Sequence, residues 1–206
     1  EVAGDLSNAS RVLADLRRGD TEVGGSLQAA VASSAFLLQG DGDVATAHRL
    51  LVGALENREG AHDARDPVLA EALHSLMMVS SYGGEESLWR SFEDAIARSQ
   101  GVPLALDLNS KIFADPARTS AMTLHALGSA ISALADETDP IQITRIAIAA
   151  SYVDRLEGCR TALWRVVRDA RQGGAIASGI IGRLALGFDD VYAGFWDEAD
   201  QLVDEV

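Results

Sequence analysis

The chain has 206 residues and a formal net charge of −14, with 31 acidic residues against 17 Lys and Arg. This acidic balance argues against nucleic-acid binding by the segment, because phosphate contacts need clustered cationic side chains. Hydrophobic residues make up 48% of the chain, which excludes a polar disordered chain, yet no apolar run approaches the roughly 18 residues that a membrane-spanning helix needs. The single cysteine, Cys159, excludes an internal disulfide, and we therefore expect a cytoplasmic protein.

Helical periodicity runs through the whole chain. We predict a leading helix over residues 5–18, followed by antiparallel helix pairs over 25–58, 66–98, 103–135, 140–172 and 174–206. Gly, Pro and Asp fall between the pairs, where they end one helix and cap the next. Repeats of this length are typical of tetratricopeptide-like arrays, so we expect an all-α, right-handed solenoid of 10–11 helices.

The array is predicted to form a single domain over residues 1–206. No linker or low-complexity segment interrupts it. The sequence opens without Met and closes inside a predicted helix, and we therefore expect a fragment of a longer protein.

Two short motifs have an alternative reading. Gly40-Asp-Gly-Asp43 is similar to the start of a calcium loop, but the later acidic ligands are missing, so we interpret it as an interhelical turn that Asp43 caps. Ile141-Gln-Ile-Thr144 alternates like a strand, yet it directly follows Asp139-Pro140, a typical helix start. We therefore predict a helix there.

The stretch from Tyr152 to Cys159 is repeated in outline by the stretch from Tyr192 to Ala199. Each has an aromatic residue, a turn residue (Asp154 or Gly194), a large apolar residue, an acid and a small side chain. A small side chain lets two helices approach closely. We therefore expect Cys159 to be a packed core thiol rather than a nucleophile.

Motifs for catalysis, metal binding and cofactor binding are missing from the sequence. It has no phosphate-binding loop, no Gly-x-Ser-x-Gly elbow and no His or Cys pair at metal-ligand spacing. Asp189-Asp190 and Asp197-Glu198 could be paired carboxylates for acid–base chemistry, but solvated acids at helix ends explain them better. We expect a protein that is not an enzyme and that uses no metal or cofactor.

A helical array binds its ligands in a groove, and the side chains that could line it are aromatic or basic. The aromatic residues are expected to be mostly interhelical wedges, including Tyr192 and Trp196. Arg145, Arg155, Arg160 and Arg165 could receive an anionic ligand or pair with neighbouring acids. The residues that we predict to line the groove are Trp89, Arg145, Tyr152, Arg155 and Trp164.

Several segments resemble the central region of the large MalT-like, LuxR-type transcriptional regulators of actinobacteria. The similarity is carried by A-G-F-W-D-E-A-D-Q-L-V-D-E at 193–205, F-A-D-P-A-R-T at 113–119, residues 152–168, and the repeat-like stretch 40–51. Such regulators have an N-terminal ATPase module, a central tetratricopeptide-like sensor array and a C-terminal helix-turn-helix. No ligand motif is matched, so the resemblance implies no ligand-contacting residue.

The resemblance implies that this chain is the sensor segment, which binds an inducer or a partner protein. DNA binding is then expected from the missing helix-turn-helix. An alternative is a freestanding tetratricopeptide-like scaffold that binds a peptide or a partner helix. A helical enzyme with a site in the groove is a more remote third option.

Overall fold

The computed structural model describes residues 26–40 and 42–204, and this part of the chain is all-α, as predicted. Within it no β-strand forms, and one isolated bridge joins Asp63 to Gln100. The helices are α1 (Leu27–Gly40), α2 (Val44–Glu56), α3 (Pro67–Gly83), α4 (Glu86–Ala97), α5 (Leu104–Ala114), α6 (Ala121–Ala133), α7 (Pro140–Ser151), α8 (Arg160–Arg171), α9 (Ile176–Ala193) and α10 (Trp196–Asp204). Short 3-10 turns cover Pro116–Arg118 and Leu156–Cys159. The predicted helix over 5–18 lies outside the described residues.

Side-chain caps set the helix starts where the sequence predicts them. Asp43 accepts a hydrogen bond from the Thr46 amide at 3.0 Å, which confirms the interhelical turn before α2. Asp139 accepts one from the Ile141 amide at 2.9 Å, so the stretch that alternates like a strand is helical. Each predicted pair interval therefore contains two consecutive helices, as far as the structure describes it.

The chain divides into two compact units between Pro103 and Leu104. In the described part of the first unit, α1 contacts α2 and α3, and α4 contacts α2 and α3. The loop before α3 is tied to the segment after α4 by two backbone bonds of 2.7 Å, from Ala64 to Gln100 and from Gln100 to His62. The larger fully buried side chains of its core include Leu51, Leu69, Leu73, Leu76, Met77 and Phe92. The single-domain assignment for 1–206 stays a prediction.

The second unit repeats one packing scheme. Each of α5, α7 and α9 contacts the helix that follows it, and α7 also contacts both α5 and α9. Buried Asn109 links α5 to α7, because its side-chain amide donates to the carbonyls of Ala105 in α5 at 2.8 Å and of Arg145 in α7 at 3.0 Å. The larger fully buried side chains include Leu108, Ile112, Leu127, Ile143, Leu163 and Leu186.

Glycine allows the close approach of α8 and α9. A Cβ atom built on Gly179 would overlap the Cβ of Ala170, and one built on Gly182 would lie 3.3 Å from a methyl of Val167. The face of α9 turned towards the core therefore consists mainly of small residues, together with the buried Leu186 and Asp190. Of the described helices, none is both long enough and apolar enough to cross a membrane.

Candidate functional site

A cavity of about 590 Å³ opens in the second unit, beside the α7–α8 turn and the end of α9. Such a volume lies within the range of small-molecule and side-chain binding sites. Its lining includes three acids, one arginine and two aromatic rings: Asp154, Glu157, Asp189, Arg160, Tyr192 and Phe195. The sequence repeat predicted the two turns that border the cavity but not the cavity itself.

The two turns share one backbone conformation. Asp154 has φ of 55° and Gly194 has φ of 83°, so both lie in the left-handed region that commonly ends a helix. In each turn the next amide bonds to the carbonyl five residues earlier. These bonds run from Arg155 to Ala150 at 3.0 Å and from Phe195 to Asp190 at 2.8 Å. The turns predicted at Asp154 and Gly194 are therefore confirmed.

Arg160 is held by two carboxylates at the base of the cavity. Its Nη1 lies 2.6 Å from Asp189 Oδ2 and 2.7 Å from Asp190 Oδ1. Burial lowers the pKa of Arg160, but the hydrogen bonds to Asp189 and Asp190 and their charges outweigh burial and raise it. The arginine is therefore a fixed cation of the cavity wall.

The expectation that Asp189-Asp190 are solvated acids is wrong for Asp190, which is only 2% exposed. The helix α9 continues to Ala193, so Asp190 lies on its inward face rather than beyond its end. A buried carboxylate needs a charged partner, and Arg160 supplies it from the start of α8.

The cavity carries an excess of negative charge. One guanidinium, Arg160, lines the cavity together with three carboxylates, those of Asp154, Glu157 and Asp189, and it is already bonded to Asp189 as well as to the buried Asp190. The other two belong to exposed residues of the α7–α8 turn. Carboxylates and aromatic faces both attract cations, so this arrangement favours a positively charged ligand group.

Cys159 lies next to this cluster but is completely buried, as predicted for a packed thiol. Burial and then the charge of Asp189 raise its pKa from 9.0 to about 12. The thiol therefore keeps its proton at neutral pH, whereas a nucleophilic cysteine needs a thiolate.

Two of the arginines predicted to bind a ligand or pair with acids instead hold backbone carbonyls. Arg155 Nη1 donates to the Leu124 carbonyl in α6 at 2.9 Å. Arg165 donates to the carbonyls of Ala135 and Glu137, each at 3.0 Å, and also to that of Leu134. Arg165 thus ties the segment that follows α6 to the side of α8.

The residues predicted to line a groove are not all brought together. Trp89 belongs to the first unit, where its ring meets that of Phe92 edge-on at 5.8 Å. Tyr152 ends α7 with its ring 4.3 Å from that of Phe113, and Arg155 follows in the same turn. The other two are half-buried on their helices, Arg145 on α7 and Trp164 on α8. Their roles stay a prediction.

An exposed apolar row, which was not predicted from the sequence, runs along α9, and we call it the α9 row. Its members recur every four residues and are between 43% and 84% exposed. They are Ile176, Ile180, Leu184, Phe188 and Tyr192. The spacing of four residues is a signal that the sequence contains, but a period-four row fits a buried face equally well.

The expectation that Tyr192 and Trp196 are interhelical wedges is wrong, because they are 84% and 65% exposed. For Tyr192 the reason lies in the packing of α9, whose face with Gly179, Gly182 and Leu186 is turned inward. The members of the α9 row are left on the outer face of this helix, whereas Leu186 is buried.

Among the described residues, no group of three His, Cys, Asp or Glu side chains is placed to hold a metal ion. Comparisons with protein-family models, with curated proteins and with solved structures found no match. The cavity and the α9 row are therefore the structural basis for a binding function.

Proposed function

We propose that this chain is the sensor and interaction segment of a LuxR-type transcriptional regulator. It binds an inducer or a partner protein and does not catalyse a reaction. The single observation that carries the binding function is the α9 row, which leads into the charged cavity through Tyr192, a member of both. The regulator assignment rests on the resemblance of the helical segments.

In this proposal the helix pairs form a right-handed solenoid. Two features support it: the consecutive contacts of α5 with α7 and of α7 with α9, and the same left-handed turn at Asp154 and Gly194. Contacts between neighbouring repeats are what a solenoid uses to build its core. Such an array presents a long surface, and the α9 row is an apolar part of it.

Regulation follows from differential binding. An inducer or partner that binds one conformation of the full regulator more tightly shifts the population towards that conformation. The change in affinity at a distant module equals the coupling free energy, which is typically about 1–3 kcal/mol. The DNA-reading and nucleotide-binding steps belong to other modules.

The coding sequence on either side of this segment tests the regulator assignment. A nucleotide-binding module before it and a helix-turn-helix after it are the expected result. Start and stop codons that directly flank residues 1–206 would contradict the regulator assignment.

The alternative is a freestanding scaffold for a peptide or partner helix, and the α9 row favours it as much as it favours the regulator. The flanking codons separate these two candidates. Binding itself is tested by thermal-shift screening of sugars, nucleotides and peptides on the purified chain, where a ligand raises the melting temperature by mass action. Uniform absence of a shift would count against the sensor function.

A further inference from the structure

The α9 row runs obliquely across the outer face of α9, because residues four apart advance about 40° around a helix of ~3.6 residues per turn, so a helix that packs on it crosses α9 at an angle. From Ile176 to Tyr192 it spans four helical turns, about 24 Å at the helical rise of ~1.5 Å per residue. Contiguous exposed apolar surface of this extent is uncommon in a protein that acts alone and marks an interaction site. Apolar side chains spaced by four residues are also what an amphipathic helix presents to a groove.

One end of the α9 row is strongly acidic. There the cavity presents Asp154 and Glu157, and the helix α10, which packs against α9, adds the exposed Asp197, Glu198 and Asp200. This is also the C-terminal end of α9, whose helix dipole favours cations. The single cationic residue of α9 itself, Arg183, is half-buried near the middle of the helix.

We propose that the α9 row and the cavity together dock an amphipathic helix of a partner protein, with Leu-like residues on one face and Lys or Arg at one end. The apolar face of the partner covers the row. Its cationic end enters the cavity, where Asp154 and Glu157 pair with it beside the rings of Tyr192 and Phe195. This inference rests on the proposed binding function and names the class of partner.

Charge favours a basic partner helix over two other occupants of the row, a second copy of the chain and an anionic membrane. A second copy of the chain would bring another net charge of −14 to an acidic surface, which opposes self-association. An anionic membrane would be repelled by the same carboxylates. A basic helix is the apolar occupant whose charge complements the rim.

The test uses the purified chain and fluorescently labelled synthetic helices of about four turns with Leu at every fourth position. One peptide has Lys in its last turn, and its matched control has Glu there. Fluorescence anisotropy is expected to show that the Lys peptide binds at least about tenfold more tightly, with an affinity that falls as salt rises.

Variants of the chain locate the site. Leu184→Glu is expected to weaken the Lys peptide by about tenfold or more, as for a central contact of an interface. Its matched control is Met122→Glu, which adds the same charge to an exposed apolar position on α6 and should leave binding unchanged. Paired Asp154→Asn and Glu157→Gln substitutions should weaken the Lys peptide severalfold, roughly to the level of the Glu peptide. Unchanged melting temperatures establish that these exposed variants fold.

Equal binding of the two peptides, or no binding of either, overturns the proposal. So does sedimentation of the chain as a dimer that Leu184→Glu dissociates, or binding to anionic lipid vesicles through the α9 row. If neither peptide binds but a ligand in the thermal-shift screen does, the partner class fails and the binding function stands. Start and stop codons that directly flank residues 1–206 would contradict the regulator assignment and leave the peptide result unchanged.

Discussion

Asp154 and Gly194 are equivalent residues at the ends of α7 and α9, and both have a left-handed backbone, with φ of 55° and 83°. The bond that closes each turn returns to the carbonyl five residues before it. Left-handed backbone costs a non-glycine residue roughly 1–2 kcal/mol, although Asp tolerates it better than most because its short side chain can bond locally. The two turns therefore depend on the residue types that the sequence places there.

Gly194→Ala is expected to lower the free energy of unfolding by about 1 kcal/mol, because Ala has a Cβ that disfavours the left-handed region. Urea denaturation followed by circular dichroism measures the change. Gly53→Ala is the control: this glycine is inside α2, has open space around its Cβ position and should gain roughly 0.5–1 kcal/mol from helix propensity. The same loss in both variants would contradict the assigned conformation.

Gly179→Ala is expected to destabilise the chain by about 1–3 kcal/mol, because the added methyl would overlap Ala170 and force α8 and α9 apart. The matched control is Gly187→Ala on the same helix, where a Cβ meets nothing within 4 Å and helix propensity should instead stabilise. Thermal unfolding of the two variants gives the comparison. A neutral Gly179→Ala would show that the two helices do not approach as closely as described.

Helix boundaries could be predicted from the sequence because each has a local cause. Asp66-Pro67 and Asp139-Pro140 start helices through a capping oxygen and a fixed φ, and both effects act within one turn. The repeated turn at Asp154 and Gly194 was predictable for the same reason.

Exposure could not be predicted from the sequence, because it depends on which helix face meets a neighbour. Most of the buried residues of α9 are smaller than the apolar residues of the exposed α9 row, and hydrophobicity alone would bury the row. The structure buries the side with Gly179 and Gly182, since close approach to α8 needs small residues. For this reason the prediction that Tyr192 is an interhelical wedge was wrong, and the α9 row was not predicted.

The pairing partners of the charged residues in the site could not be predicted from the sequence either. Asp190 and Arg160 are far apart in sequence, and nothing in the local pattern of either indicates that they pair. Arg155 and Arg165 were expected to pair with acids or to bind a ligand. Arg155 instead donates to a backbone carbonyl of α6, and Arg165 donates to carbonyls of the segment after α6. Tertiary packing decides these partners.

Arg165→Ala is expected to lower the free energy of unfolding by about 1–3 kcal/mol, because carbonyls of the segment that follows α6 lose charged donors. Arg165→Lys should recover only part of this loss, since a single ammonium cannot reproduce the fork of a guanidinium. The control is Arg168→Ala, an exposed arginine on the same helix, which should change the free energy by less than about 0.5 kcal/mol. Hydrogen exchange of the segment that follows α6 should rise in Arg165→Ala alone.

Cys159 gives the chain a dependence on alkaline pH. Its pKa is raised from 9.0 to about 12 in the folded state, so the folded protein keeps a proton that the unfolded chain loses. The stabilisation is complete below pH 9 and is lost as the pH rises from there towards about 12. Between these limits one extra proton is released on unfolding, which corresponds to a fall of about 1.4 kcal/mol per pH unit.

Cys159→Ala removes the titrating thiol. The new side chain is the one that Ala199 provides at the equivalent position of the repeat. Urea denaturation from pH 7 to pH 11 with a reductant present should show the steeper fall in the parent chain, while the variant follows the other titrating groups alone. The comparison of slopes is insensitive to the constant loss of packing that truncation of a buried thiol causes. Parallel curves above pH 9 would mean that the thiolate is accommodated in the folded state and that Cys159 is accessible to solvent.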